Sequence, residues 1–332
     1  MVRLGVTTDL DLAPLFFPLE AGWVATPPGL VTSNGTLNEL EARLLAGELD
    51  IAPISPLTYA QNQAELYLMP YPVRASDLAS DALFLISNKR MDKYEKPKVA
   101  VPPGSAIGEV ILKLIGRNFY SIEAQFQNVA NDIAALDALR SESDICILGG
   151  ETGIRAVGPA KGKGYFVEDL SKAWWLLYEL PLPLLLLGVR REWTEQEPEA
   201  TQVTRATIQM FRSALQSSKE QMATLTAQVE KRTGLLAQAL SDHYAAQRHE
   251  INSNHLRGLL EFYRRASGAN LIPPVADLSF FPLLGTTPSG PATPPRRTIT
   301  EAPTNSRTRR EQAEAQGLKV IKGGKETDNE DV

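Results

Sequence analysis

The sequence predicts an α/β fold with a helical C-terminal part and a disordered tail, and three observations carry that prediction. Short β-rich runs alternate with helical stretches through the first half, the pattern of layered sheets with largely parallel strands. Residues 192–266 hold a single proline, Pro198, and carry leucine and aromatic stripes at helical spacing. From Thr286 to Val332 there is no aromatic residue, prolines crowd the start, and eight basic and seven acidic side chains follow. Such a segment buries too little apolar surface to offset about 1–2 kcal/mol of ordering entropy per residue.

The elements follow in order. Strands are expected at Val2–Val6, Ile51–Ile54, Tyr67–Val73, Ala82–Ser87, Val99–Val101, Ile122–Gln125, Ile145–Leu148 and Leu182–Val189. Between the first two, Leu37, Leu40, Leu44 and Leu45 predict a helix over Thr36–Ala46 that Gly47 stops. A second helix is expected over Ser105–Ile115, with Ile107, Val110, Ile111, Leu114 and Ile115 facing inward and Gly116 at its end. Toward the C-terminus a helix opens near Thr194, and Leu235–Tyr244 and Leu256–Tyr263 carry two more.

With 332 residues, 43% hydrophobic and 22% charged, the chain has the composition of a globular protein with a sizeable core or two domains. Lys plus Arg total 34 against 39 Asp plus Glu, a net charge of -5, so no global field attracts nucleic acid. The single cysteine, Cys146, sits in an apolar run and is expected as a buried strand thiol, with no disulfide or cysteine metal cage. The longest apolar stretch, Trp174 to Val189, is broken by Glu179, Pro181 and Pro183 and falls short of the roughly 20 residues of a membrane span. The N-terminus has neither a basic region nor a long apolar region that would direct export, so cytoplasmic residence and no membrane partner are expected.

Familiar catalytic motifs do not account for the chain. His243, His249 and His255 lie six apart, which suits neither one helical face nor a helical zinc site, and no metal is expected. Gly149-Gly150 follows a strand without the rest of a dinucleotide fingerprint. What recurs is a small or polar residue just after a strand and at a helix start: Asp11, Ser55, Ser105 and Gly149-Gly150. Each alone is an ordinary N-cap. Brought to one edge of a sheet, such helix starts present free N–H groups and a partial positive charge to a small carboxylate.

A longer string of residues carries a family resemblance. It runs Asp11-x-x-Pro14-Leu15, Leu44-x-x-Gly47-Glu48-Leu49-Asp50-Ile51-Ala52, Ile54-Ser55-x-x-x-Tyr59-Ala60, Ile147-Leu148-Gly149-Gly150-Glu151, Asp169-Leu170-x-x-x-Trp174, Leu180-Pro181-Leu182 and Gly258-Leu259-Leu260-Glu261-Phe262-Tyr263. Over about Arg3 to Pro282 the chain resembles the chorismate dehydratases of the futalosine route to menaquinone. The resemblance implies a two-lobed, type II periplasmic-binding-protein-like fold. Its crossovers would fall near Ala82–Ser87 and Leu182–Val189, with residues 1–86 plus 184–285 forming one lobe, 87–183 the other, and 286–332 the tail.

The implied reaction removes water from chorismate to give 3-[(1-carboxyvinyl)oxy]benzoate, without metal or redox cofactor, in a monomer or homodimer. Ser105 and the N–H groups of Ile107 and Gly108 would hold a carboxylate, Ser55 would hydrogen-bond substrate, and Tyr59, Ser76, Gly149 and Gly150 would line the site. Asp11 stands where the family pattern has an amide. It is expected to act as a protonated acid toward the leaving hydroxyl, which requires burial to raise its pKa. The family's Ser-x-Thr-Ser reads here Ser105-Ala106-Ile107-Gly108, and its Ile-Gly-Asp reads Leu148-Gly149-Gly150. Two alternatives stay open: a non-catalytic binder of a small carboxylate, and the related dihydroxynaphthoate-releasing enzyme. Open too is whether Asp9 or Asp11 points into the cleft.

Overall fold

A computed structural model describes residues 1–70, 74–77, 83–196, 198–249 and 251–282. The expected tail, and the end of the strand expected at Tyr67–Val73, lie outside them.

The chain begins with β1 (Val2–Val6), a tight turn at Leu10–Leu12 and α1 (Ala13–Glu20). Then come β2 (Leu30–Asn34), α2 (Leu37–Leu45), β3 (Ile51–Ile54), α3 (Pro56–Gln61) and β4 (Leu66–Leu68). Helix α2 starts where its sequence says it should. Thr36 accepts from the Glu39 N–H and the Glu39 carboxylate accepts from the Thr36 N–H, a reciprocal cap, while Leu40 and Leu44 face inward. The short β5 (Ala75–Ser76) leads to β6 (Leu83–Ser87), β7 (Lys98–Val101), α4 (Ala106–Ile115), β8 (Gln125–Asn128) and α5 (Asp132–Ser141). The chain continues through β9 (Ile145–Gly149), α6 (Gly150–Gly162), β10 (Phe166–Asp169), α7 (Leu170–Tyr178) and β11 (Leu186–Arg190). The remainder is helical: α8 (Arg191–Gln196), α9 (Pro198–Glu220), α10 (Met222–Thr233) and α11 (Ala237–Ala246), then the two-residue β12 (Gln247–Arg248) and α12 (Ser253–Gly268).

Two five-stranded sheets result, ordered β2-β1-β3-β11-β4 and β10-β6-β9-β7-β8. In each, four strands run parallel and one runs against them: β11 in the first sheet, β6 in the second. The reversed strand is the one by which the chain arrives from the other sheet. Each therefore starts at the edge where its parallel neighbours end, Leu186 opposite Ile54 and Leu83 opposite Gly149. Just before β11 the two connecting segments pair with each other. Arg74 donates its N–H to Leu185 (2.9 Å), and its carbonyl accepts from Leu184 (2.9 Å). β5 also pairs antiparallel with β12, which ties the C-terminal helices to the first connection.

The main apolar core draws Leu40 and Leu44 from α2, Leu83 and Ile147 from the second sheet, Trp174 from α7 and Phe262 and Tyr263 from α12. Burying each of these large side chains contributes about 1.5–3 kcal/mol. Gly258 on α12 is required by this packing, because a Cβ there would run into the carbonyl oxygen of Pro181. Cys146 is the expected buried strand thiol, its pKa pushed up to about 12 by burial.

The strand expected at Ile122–Gln125 forms three residues later. Ile122 is instead buried in the core after a wide turn at Gly116–Tyr120, and pairing with Lys98 begins at Gln125. The strand expected from Leu182 begins at Leu186.

Candidate active site

The parallel strands of each sheet deliver their following loops to one edge. After β1, Asp9 accepts the Asp11 N–H on its side chain (2.9 Å) and so caps the turn Leu10–Leu12, while the Asp9 N–H donates to the Thr7 hydroxyl (3.1 Å). Leu10 and Ala13 then pack with Leu225, Val229, Leu240 and Tyr244, with Ile154 of α6 against them. That apolar cluster sets α11 over the turn and brings α6 of the second sheet beside it.

The result is a buried polar cluster assembled from three segments of the chain. His243 Nε2 lies 2.8 Å from Asp11 Oδ1, and Arg74 donates to the same oxygen at 3.4 Å. The Gln247 side-chain amide is 2.8 Å from His243 Nε2 and competes with Asp11 for that nitrogen. Arg74 and His243 are 1% and 4% exposed. The chain places Arg74 here because its backbone joins the two connections, and Gln247 because β12 pairs with β5. Around the cluster, His243 Nδ1, Gln247 Oε1 and the Tyr244 hydroxyl are buried without a hydrogen-bond partner among the described residues.

The two aspartates are pushed in opposite directions. Burial opposes ionisation of Asp11, but the charge of Arg74 and the His243 hydrogen bond outweigh it and hold the carboxyl below its ordinary value. Asp9 is raised to about 6, first by burial and then by the charge of Asp11 beside it, against the partial relief of the Asp11 N–H bond and Arg74. The expected protonated acid at Asp11 is therefore corrected: Asp11 is the ionised member, because Arg74 compensates its charge, and Asp9 is the carboxyl tuned toward neutrality. Both point into the cluster, Asp9 toward the start of α6 and Asp11 toward Arg74 and His243.

From the second sheet, Gly150 opens α6 with a φ of +52°, and a Cβ there would lie 3.9 Å from Asp9 Oδ2. Glycine adopts that backbone without strain. Gly149 is the N-cap of this helix and offers no side chain. One turn along α6, Arg155 bonds Glu151 (2.6 Å) and the Thr233 carbonyl at the end of α10, linking α6 to the C-terminal helices.

Ser105, the N-cap of α4, is 1% exposed; its hydroxyl makes no cap bond and has no partner among the described residues. The first amides of α4, at Ala106, Ile107 and Gly108, are thus left uncapped by that side chain. Gly108 also lets the helix approach its sheet, since a Cβ would meet Ile147 Cγ2 at 2.7 Å. The turn carrying Ser105 packs on β9, so Ser105, Gly149 and Gly150 share one sheet edge.

The first sheet's other candidates are engaged elsewhere. Ser55 caps α3 by accepting from Thr58 (3.1 Å), and its N–H donates to the Glu41 carboxylate. Among the described residues, no hydrogen bond joins Ser55 to the Asp11 cluster. Tyr59 needs a correction as a substrate contact. It is fully buried in the apolar core, its ring lies 6.2 Å from that of Tyr263, and its hydroxyl accepts from the Ser279 N–H (2.8 Å). Ser76 takes part through its backbone, opposite Gln247 in the β5–β12 pair.

Arg74, His243, Tyr244 and Gln247 were not among the expected site residues. A usable signal exists for the last three: Leu240, His243, Tyr244 and Gln247 follow the i, i+3, i+4, i+7 spacing of a buried helical stripe, so the polar members of that stripe require a polar partner.

Two sheets, each with one reversed strand, joined by paired connections and carrying their helix starts at facing strand ends, define a periplasmic-binding-protein-like fold. Solved structures of this kind are similar to it. Protein AF1704 from Archaeoglobus fulgidus matches with a TM-score of 0.65 at 18% identity, over 82% of this chain and 98% of that one. The periplasmic aliphatic sulphonate binding protein SsuA from Escherichia coli matches with a TM-score of 0.57 at 15% identity, over 88% and 97%. The ligand-binding component of an ABC-type import system from Staphylococcus aureus, with zinc bound, matches with a TM-score of 0.60 at 12% identity, over 85% and 96%. The family is given by the sequence itself: the profile of the menaquinone biosynthesis family covers residues 2–268, and the chain belongs to that family. Among the described residues no helix is long and apolar enough to cross a membrane.

Proposed function

We propose that this protein is a hydro-lyase that dehydrates chorismate to 3-[(1-carboxyvinyl)oxy]benzoate within menaquinone biosynthesis. The observation that carries the reading is the buried cluster of Asp9, Asp11, Arg74 and His243 beside the first turn of α6. Elimination of water needs a group that gives a proton to the departing hydroxyl and a group that takes one from the ring. This cluster offers carboxyls driven apart in acidity within one hydrogen-bonded site. Asp9 is the acid of this reading: with a pKa of about 6, roughly a tenth of it is protonated at pH 7.

Chorismate is a dianion, and an unbalanced carboxylate would repel it. Arg74 offsets Asp11, and the start of α4 adds the Ser105 hydroxyl and the N–H groups of Ile107 and Gly108 as the seat for a carboxylate. The reaction is redox-neutral and forms an aromatic ring, so orientation and proton transfer are what the protein must supply. The two lobes proposed, residues 1–86 plus 184–285 and 87–183, would close on the substrate about the paired connections at Arg74 and Leu185. The reading goes with cytoplasmic residence.

Purified protein incubated with chorismate tests it. The expected result is a rising benzoate absorbance with loss of chorismate. Thermal stabilisation by chorismate without turnover would contradict the enzyme and favour a binder of small carboxylates.

A further inference from the structure

Helix α11 carries a histidine, His243, that the sequence offered only as a poor metal ligand. Two groups compete for one of its nitrogens: Nε2 faces Asp11 Oδ1 at 2.8 Å, with the Gln247 amide at 2.8 Å beside it. Its other nitrogen, Nδ1, is buried with no hydrogen-bond partner among the described residues. In the neutral ring with its hydrogen on Nε2, that hydrogen belongs to the Asp11 bond and Nδ1 carries the lone pair. A ring nitrogen buried in that form loses hydrogen-bond free energy unless something polar meets it in the working state.

Other unpartnered polar atoms flank it. The Tyr244 hydroxyl belongs to a ring centred 5.5 Å from the His243 imidazole, and it and Gln247 Oε1 are likewise without a partner among the described residues. Asp11 faces this histidine directly and Tyr244 stands beside it on its own helix; the cluster they belong to also holds Arg74 from the connection and Asp9 from the turn after β1, with Glu151 of α6 acting on Asp9 and Tyr244, and Arg232 at the end of α10 on Tyr244.

We propose that His243, oriented by Asp11, is the base that takes the ring proton in the elimination, which makes α11 a catalytic element rather than a packing element. The inference rests on the chorismate reading given above. The step balances as follows. Nδ1 forms a bond to the hydrogen on the ring carbon that bears the enolpyruvyl ether, and the electron pair of that C–H bond becomes a ring double bond. The C–O bond to the neighbouring hydroxyl breaks with its pair, and the Asp9 carboxyl gives that oxygen its proton, so water leaves. His243 ends as imidazolium against the Asp11 carboxylate, and Asp9 ends ionised. Proton exchange with solvent restores both. Asp11 is a positioning residue here: it fixes the tautomer and stabilises the cation that forms, without touching substrate.

The test compares wild type, His243→Gln and His243→Ala on chorismate, measuring kcat and KM separately. It adds chorismate deuterated at the ether-bearing ring carbon and, for His243→Ala, added imidazole. The expected results are a fall in kcat of about 100-fold or more in both variants with KM changed less than about threefold, a primary isotope effect in wild type, and partial rescue of His243→Ala by imidazole. A His243→Gln enzyme with kcat within about threefold of wild type would overturn the proposal, as would a folded His243→Ala enzyme that imidazole does not rescue. Should the variants fail to fold, the wild type decides alone through its 15N imidazole spectrum. One of the three histidines is expected to carry hydrogen on Nε2 and to shift at Nδ1 when the benzoate product is added; a product that binds and leaves every Nδ1 unmoved would overturn it. If wild type neither turns over chorismate nor binds the product, the chorismate reading fails first, an outcome distinct from an active wild type with an indifferent His243.

Discussion

Replacing Asp9 by asparagine isolates the electrostatic cost of the buried carboxyl pair. Asp9 moves from an ordinary value of 3.8 to about 6 on folding, raised by burial and by the charge of Asp11. That is roughly two pKa units, or about 3 kcal/mol at 1.36 kcal/mol per unit. The folded protein holds this proton more tightly than the unfolded chain, so the group's stabilising contribution is full below about pH 4 and is lost as the pH rises through about 6. The asparagine side chain has no proton to lose and still presents Oδ1 to the Asp11 N–H. Asp11 acts in the opposite sense and at lower pH, since its contribution is present above its unfolded value and disappears on acidification. Urea unfolding of both proteins between pH 4 and pH 8 reads the difference. The stability of Asp9→Asn relative to wild type should improve by about 3 kcal/mol from pH 4 to pH 8, or about 6 °C in Tm. A difference between the two proteins that stays constant across that range would refute the reasoning.

Three further substitutions address other aspects of the account. Arg74→Met leaves the Asp11 carboxylate buried without its cation, and should destabilise by roughly 3–5 kcal/mol at pH 7 and by less near pH 4, where Asp11 can take a proton; urea unfolding at the two pH values reads both. Ser105→Ala removes a hydroxyl that has no partner among the described residues, so Tm should stay within about 1 °C while, for the proposed reaction, KM for chorismate should rise about five- to tenfold. Gly258→Ala forces a Cβ into the Pro181 carbonyl oxygen, a backbone atom that cannot swing away, and should destabilise by more than the roughly 1–3 kcal/mol of ordinary overpacking, visible as a large drop in Tm.

Where local pattern and burial agree, the sequence already held the fold. Ile51–Ile54 is buried at every position and forms the strand its apolar run implies, and Leu37–Leu45 becomes a helix whose cap and inward leucines are both written locally. β2 was not legible, because Leu30–Asn34 is a partly exposed edge strand ending in Thr32, Ser33 and Asn34, with no apolar alternation to announce it. The Ser105 and Gly150 helix starts could be read as strand-to-helix junctions. The polar cluster could not, since His243 meets Asp11 across 232 positions and Arg74 joins them through pairing of two connections that carry no periodic signal. The histidine spacing of six spoke only to metal binding, whereas the decisive fact was that His243 lies on the buried face of α11 between Leu240 and Tyr244. Tyr59 illustrates the opposite error: a tyrosine within a family motif is read as a ligand contact, yet its hydroxyl closes the chain against Ser279 in the core.

A crystal structure of the protein with the benzoate product bound tests the central claim most directly. The account predicts one carboxylate on the Ser105 hydroxyl and the first amides of α4, and the aromatic ring within reach of His243 Nδ1 and the Asp9 carboxyl. A product molecule seated away from these groups, with Ser105 and His243 Nδ1 still unpartnered, would contradict it.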